Sequence, residues 1–169
     1  MDDTALLCRF PDLLKLLDRD EVPHEATLDS CEVVIPTKQR ALDSLLLIRW
    51  QVETGTVQFI QPLPFEIPLE RLPAVETAVC RLNPMLLLPG FEIEYNTRRV
   101  GYRTVLSLLP RGGVLAAEVQ AYFRVTVKTA ADFFPVLARV ADGLADPLQV
   151  VRDAQAELAE PNPTLSLPD

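Results

Sequence analysis

The sequence is poor in the side chains that most enzymes use for catalysis. It has one histidine, His24, in 169 residues, so a Ser–His–Asp or Cys–His arrangement has to be built around that side chain. His24 lies between Pro23 and Glu25 in a predicted loop, which favours a solvated surface histidine. A zinc site would need further ligands near His24, and the cysteines offer no matching spacing. We therefore predict no catalytic residue and no metal ligand.

Cysteine is scarce as well. The three cysteines (Cys8, Cys31 and Cys80) are odd in number and form neither a C-x-x-C pair nor a zinc pattern. They are expected to be reduced and mostly buried thiols, as in a cytoplasmic protein. Asp2 and Asp3 stand where a secretory leader would carry positive charge, and the apolar runs are shorter than the ~20 residues of a membrane span. A cytoplasmic location without membrane association is expected.

Only six glycines occur, and two of them are adjacent. Gly112-Gly113 precedes a predicted helix, where a phosphate would meet free N–H groups. No G-x-G-x-x-G motif and no Lys-Ser/Thr pair follows, so a turn between a strand and a helix explains the pair better. No cofactor is predicted.

Positive charge is in deficit, with 16 basic against 24 acidic residues and a net charge of −8. This balance keeps a protein soluble and repels phosphate backbones, so a nucleic-acid partner is not expected. Arg98-Arg99 and Arg103 form the richest basic stretch, which we interpret as the solvated face of a hairpin. A nucleic-acid-associated accessory protein acting through these arginines remains an alternative.

Carboxylates are plentiful, and two of them are spaced as a pair. Glu92 and Glu94 lie two residues apart on a predicted strand and therefore point to the same side. Such a pair would resemble a glycosidase dyad or a metal site. An acidic solvated face is the preferred interpretation, and an enzyme with an unconventional carboxylate site is kept as an alternative.

Hydrophobic periodicity predicts an α+β domain. Residues 4–19 are predicted to be helical, with Thr4 capping a first turn and Pro11 in the first turn of a restarted helix. Strands 32–35, 45–52 and 57–60 follow. Then come a helix over 69–82, a hairpin of strands 91–95 and 100–108, and a long helix after Gly112-Gly113. We expect Pro36 to close the first strand.

The C-terminal third leaves choices open. Val125-Thr126-Val127 is also consistent with a short strand, because β-branched residues favour strands. Pro135 is expected to kink the long helix or to mark the start of a second one. Residues 147–159 are consistent with a short helix. Residues 1–159 are therefore predicted to form one domain, and residues 160–169 a proline-rich flexible tail.

The predicted order is α-β-β-β-α-β-β-α, an antiparallel sheet of about five strands with helices packed on it. Within that sheet Leu45-Leu46-Leu47-Ile48 shows no alternation, so both faces of the strand should be covered. The helices cover one face, and a homodimer mate, a client protein or a folded-back chain end would cover the other. The predicted interface consists of large apolar residues on or near this strand: Leu45, Leu47, Trp50, Phe59 and Phe65.

Several segments resemble the YbjN family. The matching motifs are residues 67–73 (IPLERLP), Arg81-Leu82-Asn83, Gly90-Phe91-Glu92-Ile93, the hairpin residues 99–103 (RVGYR) and the closing residues 130–137 (AADFFPVL). The resemblance covers about residues 40 to 140. It implies a fold similar to type III secretion chaperones and a cytoplasmic, acidic, often dimeric protein that is not an enzyme. Members of the family are considered regulators of sensory transduction, and the family pattern supplies no catalytic residue.

Together these patterns favour a non-enzymatic protein-binding module, chaperone-like or regulatory. Its partner is predicted to be another protein, bound through an apolar sheet surface, and the chain itself is expected to form a homodimer.

Overall fold

The computed structural model describes residues 4–86, 88 and 90–159. The strands are β1 (Leu6–Leu7), β2 (Glu25–Thr27), β3 (Glu32–Gln39), β4 (Leu42–Gln51), β5 (Thr56–Pro62), β6 (Phe91–Glu94), β7 (Arg99–Ser107) and β8 (Val114–Leu115). The helices are α1 (Phe10–Arg19), α2 (Leu72–Leu82), α3 (Ala116–Ala141) and α4 (Val150–Ala159). Short 3₁₀ turns flank α2 at Leu69–Arg71 and Asn83–Met85.

Six strands form one antiparallel sheet in the order β2-β3-β4-β5-β7-β6. The long strands have apolar residues at every second position, which places these side chains on one face. On β4, for example, Leu46, Ile48 and Trp50 are all buried. The α+β class and the antiparallel sheet are thus confirmed, with six strands in place of the expected five.

The helices pack on one face of this sheet and divide its core into two clusters. The first cluster joins α2, α4 and the C-terminal part of α3 to residues such as Leu63 and Tyr102. The second joins α1 and the N-terminal part of α3 to residues such as Ile48 and Phe59. Each helix buries one stripe of apolar residues, as its three- and four-residue spacing predicts.

Several buried polar side chains have hydrogen-bond partners within the core. Gln61 is fully buried; its amide donates to Leu45 O at 3.1 Å and accepts from Thr37 Oγ1 at 3.2 Å. The hydroxyls of Thr104 and Thr126 lie 2.6 Å apart. These bonds avoid the cost of unsatisfied polar groups in the core.

An ion pair between Arg40 and Asp132 links the β3–β4 turn to α3. Asp132 is 6% exposed, and its Oδ1 lies 3.0 Å from Nη1 of Arg40. Lys128, one turn earlier on α3, pairs with the other carboxylate oxygen. Arg40 has a φ of 53°, a left-handed conformation that the tight turn requires.

The N-terminal prediction was wrong in part. Leu6 and Leu7 form β1, paired antiparallel with β8, and α1 begins only at Phe10, so Thr4 does not cap it. Pro11 does lie in the first helical turn, where its missing N–H costs nothing. The short strand β2 was missed because its three residues are all exposed and carry no apolar pattern.

Pro36 does not end β3, which continues to Gln39. The neighbouring strand β2 pairs only as far as Val34, so Pro36 lies at an unpaired edge of the sheet. Proline is tolerated there because its missing N–H removes no ladder bond.

The C-terminal alternatives are also decided. Val125-Thr126-Val127 is helical, and α3 runs through Pro135 as one helix of 26 residues without a restart. Gly112-Gly113 is followed by β8 before α3 begins. The helix expected within residues 147–159 is α4, whereas the predicted tail of residues 160–169 lies outside the described residues.

Candidate functional site: the open face of the sheet

The two faces of the large sheet differ in cover. All four helices contribute to clusters on one face, which we call the covered face. On the opposite face, the open face, Leu45 is 51% exposed although its strand neighbour Leu46 is fully buried. The expectation that β4 is apolar on both sides is therefore met, and only one side is covered within the described residues.

Apolar side chains on the open face lie side by side across three strands, β3, β4 and β5. Val34 pairs with Leu47, and Leu47 pairs with Ile60. In the next row Pro36 pairs with Leu45. Since residues two apart on a strand share a face, Pro62 follows Ile60 on β5. We call this set the apolar patch: Val34, Pro36, Leu45, Leu47, Ile60 and Pro62.

Charged pairs border the patch on two sides. Arg49 donates to Glu32 across the β3–β4 pair at 2.6 Å. Arg103 on β7 donates to Glu92 on β6 at 2.6 and 3.0 Å. An apolar centre with a polar rim is the usual anatomy of a protein interface.

Two clefts meet at Leu45. One, of about 340 Å³, lies toward β2 and is lined by Pro23, His24, Glu25, Val34 and Pro36 as well as Leu45. The other, of about 390 Å³, lies toward the segment after β5 and includes Pro62, Phe65 and Arg99. The open face is therefore grooved on both sides of Leu45.

Arg99 is the cation of this groove that lacks a carboxylate partner among the described residues. The two acids that share its cleft are engaged elsewhere, Asp43 with Lys38 at 3.7 Å and Glu66 with Arg98. Arg99 is exposed, so its guanidinium is available to an incoming carboxylate.

The predicted interface set is only partly on this surface. Leu45 and Leu47 belong to the patch. Trp50 and Phe59, in contrast, are 2% and 0% exposed on the covered face, where they pack in the second cluster. Both share a face with Ile48 by the period of two, so they are core residues and are not accessible to a partner.

Phe65 is half-buried at the edge of the groove. Its ring stacks on Phe134 of α3, with centroids 6.2 Å apart, while it also lines the cleft beside Arg99. Sequence reasoning missed the other patch residues, Val34, Pro36, Ile60 and Pro62. The alternation along β3 and β5 was the available signal, because it places these four on the opposite face from Val33, Ile35, Val57 and Phe59. Three of the four are exposed or half-buried, and Ile60 is only 8% exposed.

His24 differs from the solvated surface residue that the sequence favours. Its side chain is 14% exposed, and Nδ1 lies 2.8 Å from the carbonyl oxygen of Val22. Nε2 lies 3.8 Å from Asp18 Oδ1. No serine or cysteine hydroxyl or thiol is bonded to the ring in the described part of the chain, so His24 supports no nucleophile.

Glu92 and Glu94 share the open face as predicted but do not form a dyad. Glu92 is bound to Arg103, whereas Glu94 is exposed and accepts a hydrogen bond from the backbone N–H of Asn96 at 3.0 Å. Neither carboxylate lines the clefts described above. The contacts therefore fit an acidic solvated edge.

Two arginines of the basic stretch are neutralised by carboxylates. Arg98 pairs with Glu66 and Arg103 with Glu92. Only Arg99 remains without such a partner, which is far fewer cations than a phosphate backbone requires.

The N-terminus of α3, where an anion was considered, already holds a carboxylate. The Glu118 carboxylate accepts a hydrogen bond from the backbone N–H of Leu115 at 2.8 Å and another from Arg111 Nη2 at 2.5 Å. The pKa of Glu118 lies below its ordinary value, mainly because of the hydrogen bond from Arg111 and, second, because of the bond from the Leu115 N–H. Gly113 serves close packing instead, since a Cβ there would lie 2.4 Å from Leu7 O.

The cysteines are less buried than expected: Cys8 and Cys80 are exposed and Cys31 is half-buried, all as free thiols. Across residues 4–86, 88 and 90–159, no group of three or more His, Cys, Asp or Glu side chains is arranged to hold a metal ion. In the same residues, no helix combines the length and apolar character that crossing a membrane requires.

Comparison with known proteins agrees with this architecture. The fold of this chain is similar to that in a crystal structure of YbjN from E. coli, a protein described as a putative transcription regulator. The TM-score is 0.59, and the similarity covers 91% of this chain and 96% of that chain. At 12% identity the likeness establishes the fold alone. Comparison with curated proteins gives no match.

A family model described as "Putative bacterial sensory transduction regulator" matches residues 12–139. The match reaches further toward the N-terminus than the resemblance over residues 40 to 140, because it includes most of α1 and the edge of the sheet. The match spans more than half of the 169 residues, and the chain therefore belongs to the YbjN family.

Proposed function

We propose that this protein is a non-enzymatic regulatory module that binds a partner protein through the open face of its sheet. The family description supports a regulator. The observation that carries the proposal is Leu45, which is half exposed in the middle of an apolar patch on a six-stranded sheet. A contiguous apolar patch with a polar rim marks an interaction site.

The groove indicates the chemistry of the partner. An extended segment with apolar side chains would fill the clefts beside Leu45, and a carboxylate on that segment would pair with Arg99. The prolines of the groove, Pro23, Pro36 and Pro62, present rigid apolar surface that loses little conformational entropy on binding.

A second copy of the chain is the other candidate occupant, as the predicted homodimer would require. In a twofold dimer the same patch serves both protomers, so Leu45 and Leu47 would be buried against themselves. A homodimer and a partner complex are separated by the oligomeric state of the free protein.

Affinity capture with matched variants tests the proposal. The unchanged protein, Leu45→Asp and Leu144→Asp would be compared by capture from lysate and by sedimentation velocity. Leu144 is 76% exposed beyond the end of α3 and provides the control. The proposal predicts a defined partner that is lost with Leu45→Asp and retained with Leu144→Asp.

Three outcomes would contradict it. Equal capture by both variants would place binding elsewhere. A dimer that Leu45→Asp converts to monomer, without any partner, would assign the face to self-association. Turnover that depends on Glu92 or Glu94 would favour the enzyme alternative.

A further inference from the structure

A separate cleft opens on the covered side of the sheet, between α1 and α3. Its volume is about 260 Å³. The walls are mainly apolar, and their side chains come from both helices, from the segment after α1 and from β4: Leu16, Leu17, Val22, Ile48, Val119 and Phe123.

The cleft penetrates the second core cluster as far as the sheet. Ile48 at its floor is fully buried, and Leu16 and Val119 in its walls are 1% and 2% exposed. Such a lining excludes most water from its depth and favours an apolar occupant.

Three polar side chains stand among the lining residues of the same cleft, and two of them bind each other. Asp20 accepts from Arg19 Nε at 2.6 Å and from Gln120 Nε2 at 2.8 Å, which joins α1 to α3. The bond from Arg19 is the main reason that the pKa of Asp20 lies below its ordinary value, so this acid is charged at neutral pH.

Arg124 is the third, and it has no carboxylate partner among the described residues. Arg124 is an exposed residue, so it can receive an anion without the cost of breaking an existing pair. Asp20 lines the same cleft and is negatively charged, which disfavours a ligand with a second negative charge.

We propose that this cleft binds a small monocarboxylate with an unbranched hydrocarbon tail. The tail would lie between α1 and α3 toward Ile48, and the carboxylate would pair with Arg124. A volume slightly below the ~300–1,000 Å³ of sites for drug-sized ligands limits the tail to short or medium length. This ligand site is distinct from the open face and does not depend on partner binding there.

Titration calorimetry with a series of straight-chain acids from butanoate to decanoate tests the proposal, with octan-1-ol as the uncharged probe. Affinity should rise about fourfold per added methylene until the cleft is full. Octanoate should bind at least tenfold more tightly than octan-1-ol, because only the acid forms the charged bond to Arg124.

Two variants locate the site, and one is a matched control. Arg124→Gln should weaken octanoate binding about tenfold or more, while Arg81→Gln, an exposed arginine on α2, should leave it unchanged. Val22→Phe should block the cleft from its half-buried rim, and unfolding curves would establish that each variant is folded.

Four results would overturn the proposal. These are no binding of any acid up to its solubility limit, equal affinity for octanoate and octan-1-ol, equal loss in Arg124→Gln and Arg81→Gln, and unchanged binding by folded Val22→Phe. The last two would mean that the acids bind elsewhere. A cleft that instead takes a side chain of a protein partner would give the first result.

Discussion

Asn83 holds the backbone of Phe91 with both ends of its amide. Its Oδ1 accepts the N–H of Phe91 at 2.8 Å, and its Nδ2 donates to the carbonyl oxygen of Phe91 at 3.0 Å. The side chain thereby joins the end of α2 to the start of β6. Gly90 makes room for it, since a Cβ at that position would lie 2.0 Å from Asn83 Oδ1. Two motifs that are separate in the sequence, Arg81-Leu82-Asn83 and Gly90-Phe91, are thus one structural unit.

Replacing Asn83 should destabilise this unit. We expect Asn83→Ala to lower the free energy of unfolding by about 1–3 kcal/mol, because two backbone groups of Phe91 lose their partners. Asn83→Asp should also destabilise, since a carboxylate cannot donate to the Phe91 carbonyl. Urea unfolding measures both, and Asn96→Ala in an exposed turn is the control. A loss in Asn83→Ala no larger than in the control would contradict the role of the amide.

The ion pair at Asp132 is expected to stabilise the β3–β4 turn against α3. Asp132→Asn keeps the shape of the side chain but leaves Arg40 without its anion, so we predict a loss of about 1–3 kcal/mol. This value lies below that of a fully buried pair because Arg40 and Lys128 are partly exposed. Asp142→Asn, an exposed acid at the end of α3, is the control.

A double-mutant cycle isolates the pair itself. If Arg40 acts through Asp132, then Arg40→Met should cost little in the Asp132→Asn background. Additive losses from the two substitutions would show that each residue stabilises the fold independently.

Glu118 should make stability depend on pH. Its pKa is lower in the folded state, mainly through Arg111, so its contribution is present above the ordinary glutamate pKa of about 4.3 and is lost as the pH falls below it. Glu118→Gln should therefore be less stable than the unchanged protein at pH 7, by about 0.5–1 kcal/mol at this surface site.

The difference should shrink as unfolding is repeated at successively lower pH. Glu53→Gln, in the exposed turn between β4 and β5, should show no such trend. A Glu118→Gln deficit that stays constant down to pH 3 would contradict the assignment.

The two faces of β4 should respond differently to truncation. Trp50→Ala removes a side chain that is 2% exposed and should cost about 3–5 kcal/mol. Leu45→Ala removes a half-exposed side chain and should cost less than about 1 kcal/mol. Thermal or urea unfolding of both variants tests the face assignment, and a reversed order would refute it.

The sequence was informative where one physical rule dominates. Alternation within residues 100–108 predicts that Val100, Tyr102, Thr104, Leu106 and Leu108 share one face. All five are buried, and the first four lie on β7, which ends at Ser107. The spacing of Leu69, Leu72, Val75, Val79 and Leu82 predicted one packing stripe. Val75, Val79 and Leu82 are buried on α2, whereas Leu69 lies in the 3₁₀ turn before the helix and is 70% exposed. Long and strongly periodic segments can be predicted from sequence because burial repeats with the period of the helix or strand.

Elements that depend on distant partners were not predictable in the same way. Leu6 and Leu7 suit a helix locally, yet they form β1 because Val114 and Leu115 offer a strand to pair with. Strand β3 continues through Pro36 because β2 pairs with β3 only as far as Val34. In both cases a tertiary neighbour, which a local pattern does not contain, overrides propensity.

The candidate site shows the same division. Leu45 and Leu47 were found from the unbroken apolar run on β4. Trp50 was assigned to the interface because it is aromatic, although its position two residues after Ile48 places it with the core. Register, rather than residue type, decides which face a side chain occupies.

Site-specific photo-crosslinking is the most direct test of partner binding through the open face. A photoreactive amino acid would be introduced at Leu45 and, as a control at an even more exposed position, at Leu144. Our account predicts a discrete adduct between a second protein and position 45, none at position 144, and loss of that adduct when Leu47→Asp is added. Adducts of equal yield at both positions, or an adduct at position 45 that survives Leu47→Asp, would contradict it.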